Sequence, residues 1–435
     1  MRSQWTERGV DCTLLAIRTA STVSVHRGGG EVTANPLRVL HVIPSLSMVH
    51  GGPSHAMRSM DTALRETGIH VDVVTTDDDG PGQRLSRPLG QPLFEDDDRS
   101  HGAHWYFHKD TEFYKCSWSL AKWINNHVRQ YDVVHIHALF SFTSVIAARA
   151  AYRAGVPYVV RPLGTLSPYG LRERRALLKR WSLRWIEADL LRRASAIHVT
   201  SEQERNDVDA LALDVRCVVI PLGLPGNLGL DVTRSAARVF PQLSGKRIVL
   251  FLSRLDPKKN VEALIDAFSS IADDFPGCDL VLAGAGDPAY AAQLRERAAR
   301  SPVLTRIHWL GHVQGEMKVV LLGGASLFVL PSFSENFGIA AAEALSAGLP
   351  CVLAEGVAIA GTTASAGAGL VTGNDALSIA DGMRTILSDD SLRTAMSANA
   401  IELASREFST SAMTARLLAL YNQIESATFK NGDVR

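Results

Sequence analysis

Two glutamates eight residues apart provide the first spacing in this sequence that could do chemistry. Glu335 lies in a polar turn that follows the apolar run 325–330, and Glu343 lies in the alanine-rich stretch after it. If the stretch between them were all helix, the two carboxylates would be roughly 12 Å apart along its axis, at about 1.5 Å per residue. Two acids at that separation are able to hold an extended ligand at two points, with a phosphate near the positive helix end between them.

A simpler interpretation treats the two acids as unrelated. An acid at a helix N-terminus is favoured by the helix dipole, and Glu343 would then be an ordinary helix glutamate. The small residues around Glu343 favour a site instead, because they bury its carboxylate, and a buried carboxylate needs a partner. These small residues are Ala340, Ala341, Ala342, Ala344 and Ala347.

Two cations follow a predicted strand in the same half of the chain. Arg254 and Lys259 lie in the turn between the apolar run 247–252 and a predicted helix over 261–273. Cations at a strand end and ahead of a helix are placed to neutralise a diphosphate. Basic residues are also common in turns that bind nothing, so this spacing alone leaves both interpretations open.

The first half of the chain offers a glycine pair and a histidine pair. Gly51 and Gly52 follow the first predicted strand, where they let the backbone approach a ligand or simply form a flexible turn. His135 and His137 face the same way in the strand predicted over 131–138. His137 falls at the C-terminal end of that strand, where sites form in parallel sheets, although a lone strand-end histidine more often has a structural role.

The strings Pro331–Gly338 and Glu343–Pro350 together resemble a known signature. They are similar to the E-x7-E motif of the retaining GT-B glycosyltransferases of family four, which include many bacterial exopolysaccharide and lipopolysaccharide sugar transferases. The resemblance implies that Glu335 contacts hydroxyls of the donor sugar and that Glu343 contacts the nucleotide ribose. The helix start between them, which belongs to the implied donor site, comprises Asn336, Phe337 and Gly338.

The motifs of the first half fit the same family. The resemblance implies that Gly51 and Gly52 close over the donor pyrophosphate. It also implies that His137, the second histidine of a His-x-His motif, contacts the donor sugar or phosphate. The implied catalytic set is therefore His137, Glu335, Arg254 and Lys259.

The cation loop matches the family with two departures. Arg254 and Lys259 match an arginine and a lysine of the family, whereas Ser253 and Asn260 replace its usual glycines. By this resemblance the two cations take the role that magnesium has in other transferases. We therefore expect no metal and no other cofactor.

The order of predicted elements indicates the architecture. Strands alternate with helices in both halves, which predicts parallel sheets covered on both faces and an α/β class. The resemblance implies a GT-B fold, with two Rossmann-like parallel-sheet domains facing across a cleft. The expected parts are a disordered extension over 1–36, an N-terminal acceptor-side domain over 37–225, a C-terminal nucleotide-sugar-binding domain over 226–408, and a helix over 409–435 that crosses back.

The composition of the chain gives no sign of nucleic-acid binding, a zinc site or a transmembrane helix. The chain has 435 residues, of which 46% are apolar, and its formal net charge is zero, so nothing attracts nucleic acid globally. Five cysteines lie far apart without a C-x-x-C pair, which favours a reducing, cytoplasmic compartment and gives no zinc site. No apolar run reaches about 18 residues, so no transmembrane helix is predicted.

Local charge is uneven along the chain. The segment 171–194 has eight basic and three acidic residues, a balance of 8 − 3 = +5, and it includes Trp181 and Trp185. A basic amphipathic helix with tryptophans is typical of peripheral binding to an anionic membrane, but a surface helix packed on its own core fits equally well. The acidic runs 77–79 and 95–98 lie among Gly, Pro and Ser, which favours solvated loops over a cation site.

We therefore expect a retaining glycosyltransferase that moves a sugar from a UDP- or GDP-linked donor to a glycan or lipid-linked acceptor in cell-surface or exopolysaccharide biosynthesis. Alternatives are a sugar-nucleotide 2-epimerase of the same fold and a non-catalytic nucleotide-sugar-binding subunit. A dinucleotide oxidoreductase would depend on the Gly-x-Gly-x-x-Ala run at 284–289. That run is weak evidence, because no acid ends the next predicted strand, at 306–310, where a ribose partner belongs.

Overall fold

Two parallel sheets, one in each half of the chain, form the framework of the protein. The structure, a computed structural model, describes residues 36–94, 99–172, 176–224 and 239–432. All of these residues belong to one packed unit. The extension predicted over 1–36 lies outside the described residues, apart from Pro36.

The strands of the first sheet are short apolar runs rich in Val and Ile, as expected of strands buried on both faces. They are β1 (Arg38–Ser45), β2 (His70–Thr76), β3 (Pro92–Leu93), β4 (His104–Phe107), β5 (Val133–His137), β6 (Tyr158–Arg161), β7 (Ala196–Val199) and β8 (Cys217–Val219). Within the described residues their order is β3-β4-β2-β1-β5-β6-β7-β8, and only β3 runs antiparallel to its neighbour. The helices of this half are α1 (Gly52–Arg65), α2 (Trp118–His127), α3 (Phe142–Ala154), α4 (Pro168–Arg172), α5 (Ala176–Ser182), α6 (Ala188–Arg192) and α7 (Glu202–Asp209).

The second sheet repeats the pattern. Its strands are β9 (Arg247–Leu252), β10 (Cys278–Ala283), β11 (Ile307–Gly311), β12 (Leu327–Leu330), β13 (Cys351–Ala354) and β14 (Gly369–Thr372). Their order within the described residues is β11-β10-β9-β12-β13-β14, all parallel. The helices are α8 (Val261–Ile271), α9 (Pro288–Ala299), α10 (Glu316–Gly324), α11 (Ile339–Ser346), α12 (Ala360–Ser365), α13 (Ala376–Ser388) and α14 (Asp390–Leu403). The predicted α/β class with two parallel sheets is confirmed.

Each sheet has a point where the strand order reverses, between β1 and β5 in the first half and between β9 and β12 in the second. At such a point the loops that leave the C-terminal strand ends diverge to opposite faces and open a crevice. The loops at the first crevice are 46–51 and 138–141, and those at the second are 253–260 and 331–338. Most of the predicted site residues lie in these four loops or directly beside them.

The last helix, α15 (Thr410–Gly432), returns to the first sheet. Its buried residues Met413, Leu417 and Tyr421 pack into the same core as α1 and the strands beneath it. Where the described chain leaves the first half and where it returns, Leu224 N donates to Phe408 O at 2.7 Å and Thr410 N donates to Leu224 O at 3.1 Å. The outgoing and returning segments therefore lie side by side.

The basic segment, predicted to be helical over 171–194, is helical at every described residue from Leu171 to Arg192, so that prediction is confirmed. The described part consists of α4, α5, a π-helical turn over Leu183–Glu187, and α6. The wide turn directs Glu187 inward, where its carboxylate accepts hydrogen bonds from Tyr114 Oη at 2.9 Å and Phe140 N at 3.1 Å. In the part of the chain that the structure describes, no helix is long and apolar enough to cross a membrane.

The acidic run 77–79 is not the solvated loop that the sequence favoured, so that prediction is wrong. Asp77 and Asp78 are buried, and Lys109 donates to Asp78 at 2.7 Å while Lys115 forms a second ion pair with it. Burial alone would raise the pKa of Asp78, but the hydrogen bonds from Lys109 and Lys115 outweigh it and lower that pKa. The second acidic run, 95–98, lies outside the described residues.

Candidate active site

The turn that contains Glu335 is fixed by backbone hydrogen bonds to two other loops. Glu335 N donates to Gly356 O at 2.8 Å, and Ala358 N donates to Glu335 O at 3.2 Å. Phe333 N donates to Lys258 O at 2.9 Å, which ties the turn to the cation loop. The strand-end loops of β9, β12 and β13 therefore form one connected surface.

The Glu335 side chain is held by a cation and a hydroxyl. Lys259 Nζ forms an ion pair with Glu335 Oε1, and Ser332 Oγ donates to the same oxygen at 2.8 Å. Lys259 is only 9% exposed and Glu335 is half-buried, so the pair is largely shielded from solvent. Two of the predicted site residues, 76 positions apart in sequence, are thus in direct contact.

Glu343 has a lysine partner of its own. It lies on α11, and Lys318 on α10 places Nζ 2.6 Å from Glu343 Oε1. Both side chains are partly buried, at 29% exposure for Lys318 and 22% for Glu343. Each glutamate of the E-x7-E motif therefore forms an ion pair with a lysine.

The helix between the glutamates starts two residues later than predicted. Gly338 caps it with φ = 95°, a left-handed conformation that favours glycine, and α11 begins at Ile339. The Phe337 side chain is buried in the core, edge-to-face with Phe408 at 5.6 Å between ring centroids. Only the backbone of Phe337 is therefore available to a ligand, whereas the Asn336 side chain is exposed.

The glycine pair of the first half lies against this helix start. Gly51 caps α1 with φ = 66°, and a Cβ built on Gly52 would lie 3.1 Å from Ile339 Cδ1. The N-termini of α1 and α11 therefore approach each other from the two halves of the protein. Two converging helix N-termini create a positive potential that suits an anionic ligand.

Arg254 is exposed and makes no ion pair within the described part of the chain. Its loop explains the Gly-x-Gly spacing after β10, because a Cβ on Gly284 would overlap Ser253 O and one on Gly286 would overlap Leu255 O. These glycines permit two strand-end loops to pack together. Packing thus accounts for the motif that a dinucleotide oxidoreductase would require.

His137 is completely buried at the end of β5. Its Nε2 is 2.8 Å from Nδ1 of His41 on β1, and its Nδ1 has no hydrogen-bond partner within the described residues. Burial lowers the pKa of His137 well below its usual value, so the ring is neutral at physiological pH. In this structure it does not face open solvent in the cleft.

His137 belongs to a row of four buried imidazoles on one face of the first sheet, which we call the histidine row: His41, His135, His137 and His198. His135 Nε2 is 3.3 Å from His198 Nδ1, and His135 Nδ1 is 2.7 Å from Tyr421 Oη on α15. Burial lowers the pKa of both His41 and His198 to about 3. The row therefore lies neutral between the sheet and the returning helix.

Three members of the row come close enough to hold a metal ion, since ligand nitrogens of His41, His135 and His137 lie within 4.8 Å of one another. Arg161, on the neighbouring strand β6, is buried among them, and its positive charge lowers the pKa of each of the three. A fixed cation at this position repels a metal cation. The cluster is therefore a poor metal site.

A cavity of about 460 Å³ opens between the halves next to Glu335. Glu335 and Asn336 line it from the second half, and Gly164 and Tyr169 line it from the first. The Tyr169 ring lies 4.3 Å from Lys258 Nζ, which is a cation–π contact between the halves. The volume of the cavity falls within the range of small-molecule sites, about 300–1,000 Å³.

Ser332, Lys318 and Arg161 were not among the site residues predicted from the sequence. Ser332 and Arg161 stand at or just after strand ends, so the rule that sites form there could have selected both. Lys318 carried no local signal, because its contact with Glu343 depends on the packing of α10 against α11.

Two family models match the chain. The model described as "Glycosyl transferases group 1" matches residues 232–403, and the model described as "Glycosyl transferase 4-like domain" matches residues 51–223. Together they cover every residue of the predicted site and, apart from β1, every strand of the two sheets.

Curated relatives and solved structures agree with these models. A D-inositol 3-phosphate glycosyltransferase of Corynebacterium efficiens is 28% identical over 317 residues, covering 70% of this chain and 74% of that protein. A phosphatidyl-myo-inositol mannosyltransferase of Mycobacterium leprae is 29% identical, covering 54% of this chain and 60% of that protein. The structure of Anabaena Alr3699/HepE in complex with UDP has a TM-score of 0.71 at 20% identity, covering 89% of this chain and 100% of that one.

A second structure, sucrose-phosphate synthase from Thermosynechococcus elongatus, has a TM-score of 0.70 at 19% identity and covers 90% of this chain and 100% of that one. At these identities the structural matches establish the fold, and the family models and curated relatives establish the kind of enzyme. The chain belongs to the glycosyl transferases group 1 family and is a glycosyltransferase with the GT-B fold.

Proposed function

We propose that the protein is a retaining transferase that takes its sugar from a UDP- or GDP-linked donor and passes it to a glycan or lipid-linked acceptor, in cell-surface or exopolysaccharide biosynthesis. One observation supports this most strongly. Each glutamate of the E-x7-E motif is paired with a lysine, on either side of a helix N-terminus that meets the Gly52 end of α1.

The donor fits this arrangement by charge. A nucleoside diphosphate carries its negative charge in the middle, and the two helix N-termini at Gly52 and Ile339 offer partial positive charge there. Arg254, which has no ion-pair partner within the described residues, and Lys259 add full charges from the adjoining loop. The ribose would then lie toward Glu343 and the sugar toward Glu335, beside the cavity.

The proposed reaction breaks the bond between the anomeric carbon and the diphosphate oxygen, and the electron pair leaves with the diphosphate. Arg254 and Lys259 stabilise the charge that develops on this leaving group, which is electrostatic catalysis by preorganised groups. The acceptor oxygen bonds to the anomeric carbon on the same face, and its proton passes to the diphosphate. The configuration at the anomeric carbon is thereby retained.

We propose that this chemistry requires no metal ion. Magnesium commonly neutralises a diphosphate leaving group, and here the two cations and two helix N-termini provide that positive charge. His137, which is neutral, would act as a hydrogen-bonding group that orients the sugar from the first half. Its unpartnered Nδ1 is the atom available for that contact.

The acceptor is proposed from the relatives and from the surface. Two relatives are named for transfer to inositol 3-phosphate and to phosphatidyl-myo-inositol, one a soluble phosphate ester and the other a lipid. Next to the cavity, α5 and the turn after it expose Leu177, Trp181 and Trp185 at 82%, 62% and 64%. An exposed apolar face beside basic residues supports peripheral contact with the cytoplasmic face of a membrane that presents a lipid-linked acceptor.

The test is a panel of UDP- and GDP-linked sugars, with release of the nucleoside diphosphate as the readout. We expect one nucleotide series to be hydrolysed slowly without acceptor, and Glu335→Gln to abolish the release while the protein stays folded. EDTA should leave the rate unchanged, and NMR of the product should show the anomeric configuration of the donor. Release from no member of the panel, or inversion at the anomeric carbon, would contradict the proposal.

A further inference from the structure

Arg161 is a buried cation without a partner. It is the last residue of β6, opposite His137 in the register of the parallel pair, and it is only 2% exposed. Within the described residues its guanidinium makes no hydrogen bond and no ion pair, and its Nε is buried without an acceptor. Burial lowers the pKa of Arg161 to about 10, so the group stays charged at neutral pH.

The surroundings of Arg161 offer no free carboxylate. The acid that acts on it electrostatically is Glu204, whose oxygens accept from Gly164 N at 2.7 Å, Thr200 N at 2.7 Å and Thr200 Oγ1 at 2.9 Å. The other close polar groups are the neutral histidine row and Tyr421. No acid of the described chain therefore neutralises the guanidinium directly.

An uncompensated buried charge is unfavourable, and proteins normally pair such groups or place them at functional sites. Arg161 stands at the C-terminal edge of the first sheet, where the ligands of open α/β sheets bind. The chain continues from it into Leu163 and Gly164, which line the cavity beside Glu335. Nδ1 of His137, on the adjacent strand, also lacks a partner within the described residues.

We propose that Arg161, on the strand next to His137, binds an oxyanion of the substrate next to the reaction centre. The oxyanion is either a phosphate on the acceptor or a carboxylate on the transferred sugar, since a guanidinium pairs with both in the same planar geometry. This inference deepens the proposed function and depends on it for the identity of the substrate. The binding of an anion by Arg161 does not depend on turnover.

The test measures stability and anion binding on the full chain, without any sugar donor. If Arg161 is an unpaired cation kept for a substrate, Arg161→Met should have a Tm equal to or above that of the wild type in anion-free buffer. Inorganic phosphate should raise the Tm of the wild type. The apparent affinity for phosphate should be lower in Arg161→Met by about tenfold or more, the effect of losing a charged hydrogen bond. The matched control is Arg153→Gln, which removes an exposed arginine from α3 and should keep the full response.

Phosphate could also bind at the cation loop that contains Arg254. The same titration on Arg254→Gln distinguishes the two sites, because this variant should retain the rise in Tm that depends on Arg161. Glycerol phosphate and glucuronate then distinguish the two sources: stabilisation by the first indicates an acceptor phosphate, and by the second a sugar carboxylate. A drop in Tm or failure to fold of Arg161→Met, with Arg153→Gln unaffected, would show a structural role and overturn the proposal. An unchanged phosphate response in Arg161→Met, or no response of the wild type to any of these anions, would overturn it as well.

Discussion

Arg254 and Lys259 differ in how they are held, and this separates their effects on catalysis and on folding. Arg254 is exposed and makes no ion pair within the described residues, whereas Lys259 is buried and neutralises Glu335. A cation that acts only on a leaving group contributes to the rate, but a cation that also pairs with a protein carboxylate contributes to stability as well.

We predict that Arg254→Gln and Lys259→Met each lower kcat/KM by about two to three orders of magnitude, the scale of one lost charge-stabilising group. Only Lys259→Met should also lower the Tm, because it leaves the Glu335 carboxylate without its cation. Kinetics and thermal unfolding on the same preparations check this, with the exposed Arg300→Gln as the control for charge. Equal Tm values for both variants would show that the Lys259–Glu335 pair does not stabilise the fold.

The histidine row links stability to pH. Burial lowers the pKa of His41 and His198 to about 3, whereas in the unfolded chain a histidine binds its proton near pH 6.5. Below about pH 6.5 the unfolded state therefore binds more protons than the folded state, and the free energy of unfolding falls as the pH is lowered. Each buried histidine contributes at most about 1.4 kcal/mol per pH unit to this slope.

We predict that the free energy of unfolding, measured with urea between pH 5 and pH 6, falls with decreasing pH. His198→Gln should reduce the slope by the contribution of about one bound proton, which is about 1.4 kcal/mol per pH unit. His55→Gln, at an exposed position on α1, should not change the slope. A slope that is the same in His198→Gln as in the wild type would mean that this imidazole is not neutral in the folded protein.

At the scale of elements, the segment 168–192 combines aromatic exposure with positive charge. Trp181 and Trp185 are more than 60% exposed on α5 and the turn after it, and Lys179 and Arg180 lie on the same helix. Arg174 and Arg175, which contributed to the predicted charge balance, lie outside the described residues. Tryptophan beside lysine and arginine favours the headgroup region of an anionic bilayer. Each basic residue near the surface contributes about 1 kcal/mol of electrostatic attraction.

We predict salt-sensitive co-sedimentation with vesicles that contain anionic lipid and little with neutral vesicles. Lys179→Gln with Arg180→Gln should weaken it, and Trp181→Ser with Trp185→Ser should nearly abolish it, while release of nucleotide from the donor continues. The matched control, Lys122→Gln with Arg129→Gln, removes the same charge from exposed positions on α2 and on the 3-10 turn that follows it. If the wild type does not sediment with anionic vesicles at low salt, the aromatic face has another role and the acceptor is soluble.

The elements themselves were mostly predictable, since strand 247–252, strand 351–354 and helix 142–154 coincide with local apolar patterns. Contacts between distant residues were not. Lys259 meets Glu335 because β9 and β12 are neighbours in the sheet, and nothing in the spacing of the sequence fixes that order. The burial of Asp77 and Asp78 likewise depends on Lys109 and Lys115, which a segment without a strong pattern supplies.

At the scale of the whole molecule, the proposed donor site exists only where the two halves meet. Gly52 abuts Ile339, and Tyr169 stacks with Lys258, so residues from both sheets surround the region next to Glu335. A donor bound between them should therefore contact both halves at once.

Hydrogen exchange with and without the nucleoside diphosphate identified by the donor panel tests this claim most directly. We predict slower exchange in two separate segments, the start of α1 over 51–57 and the turn and helix over 335–343, because one ligand covers both helix N-termini. Glu335→Gln should keep this protection, since the glutamate is assigned to the sugar, and Arg254→Gln should weaken it in both segments together. If the nucleotide binds but exchange slows in neither segment, or in only one half of the protein, the donor does not bridge the two helix N-termini.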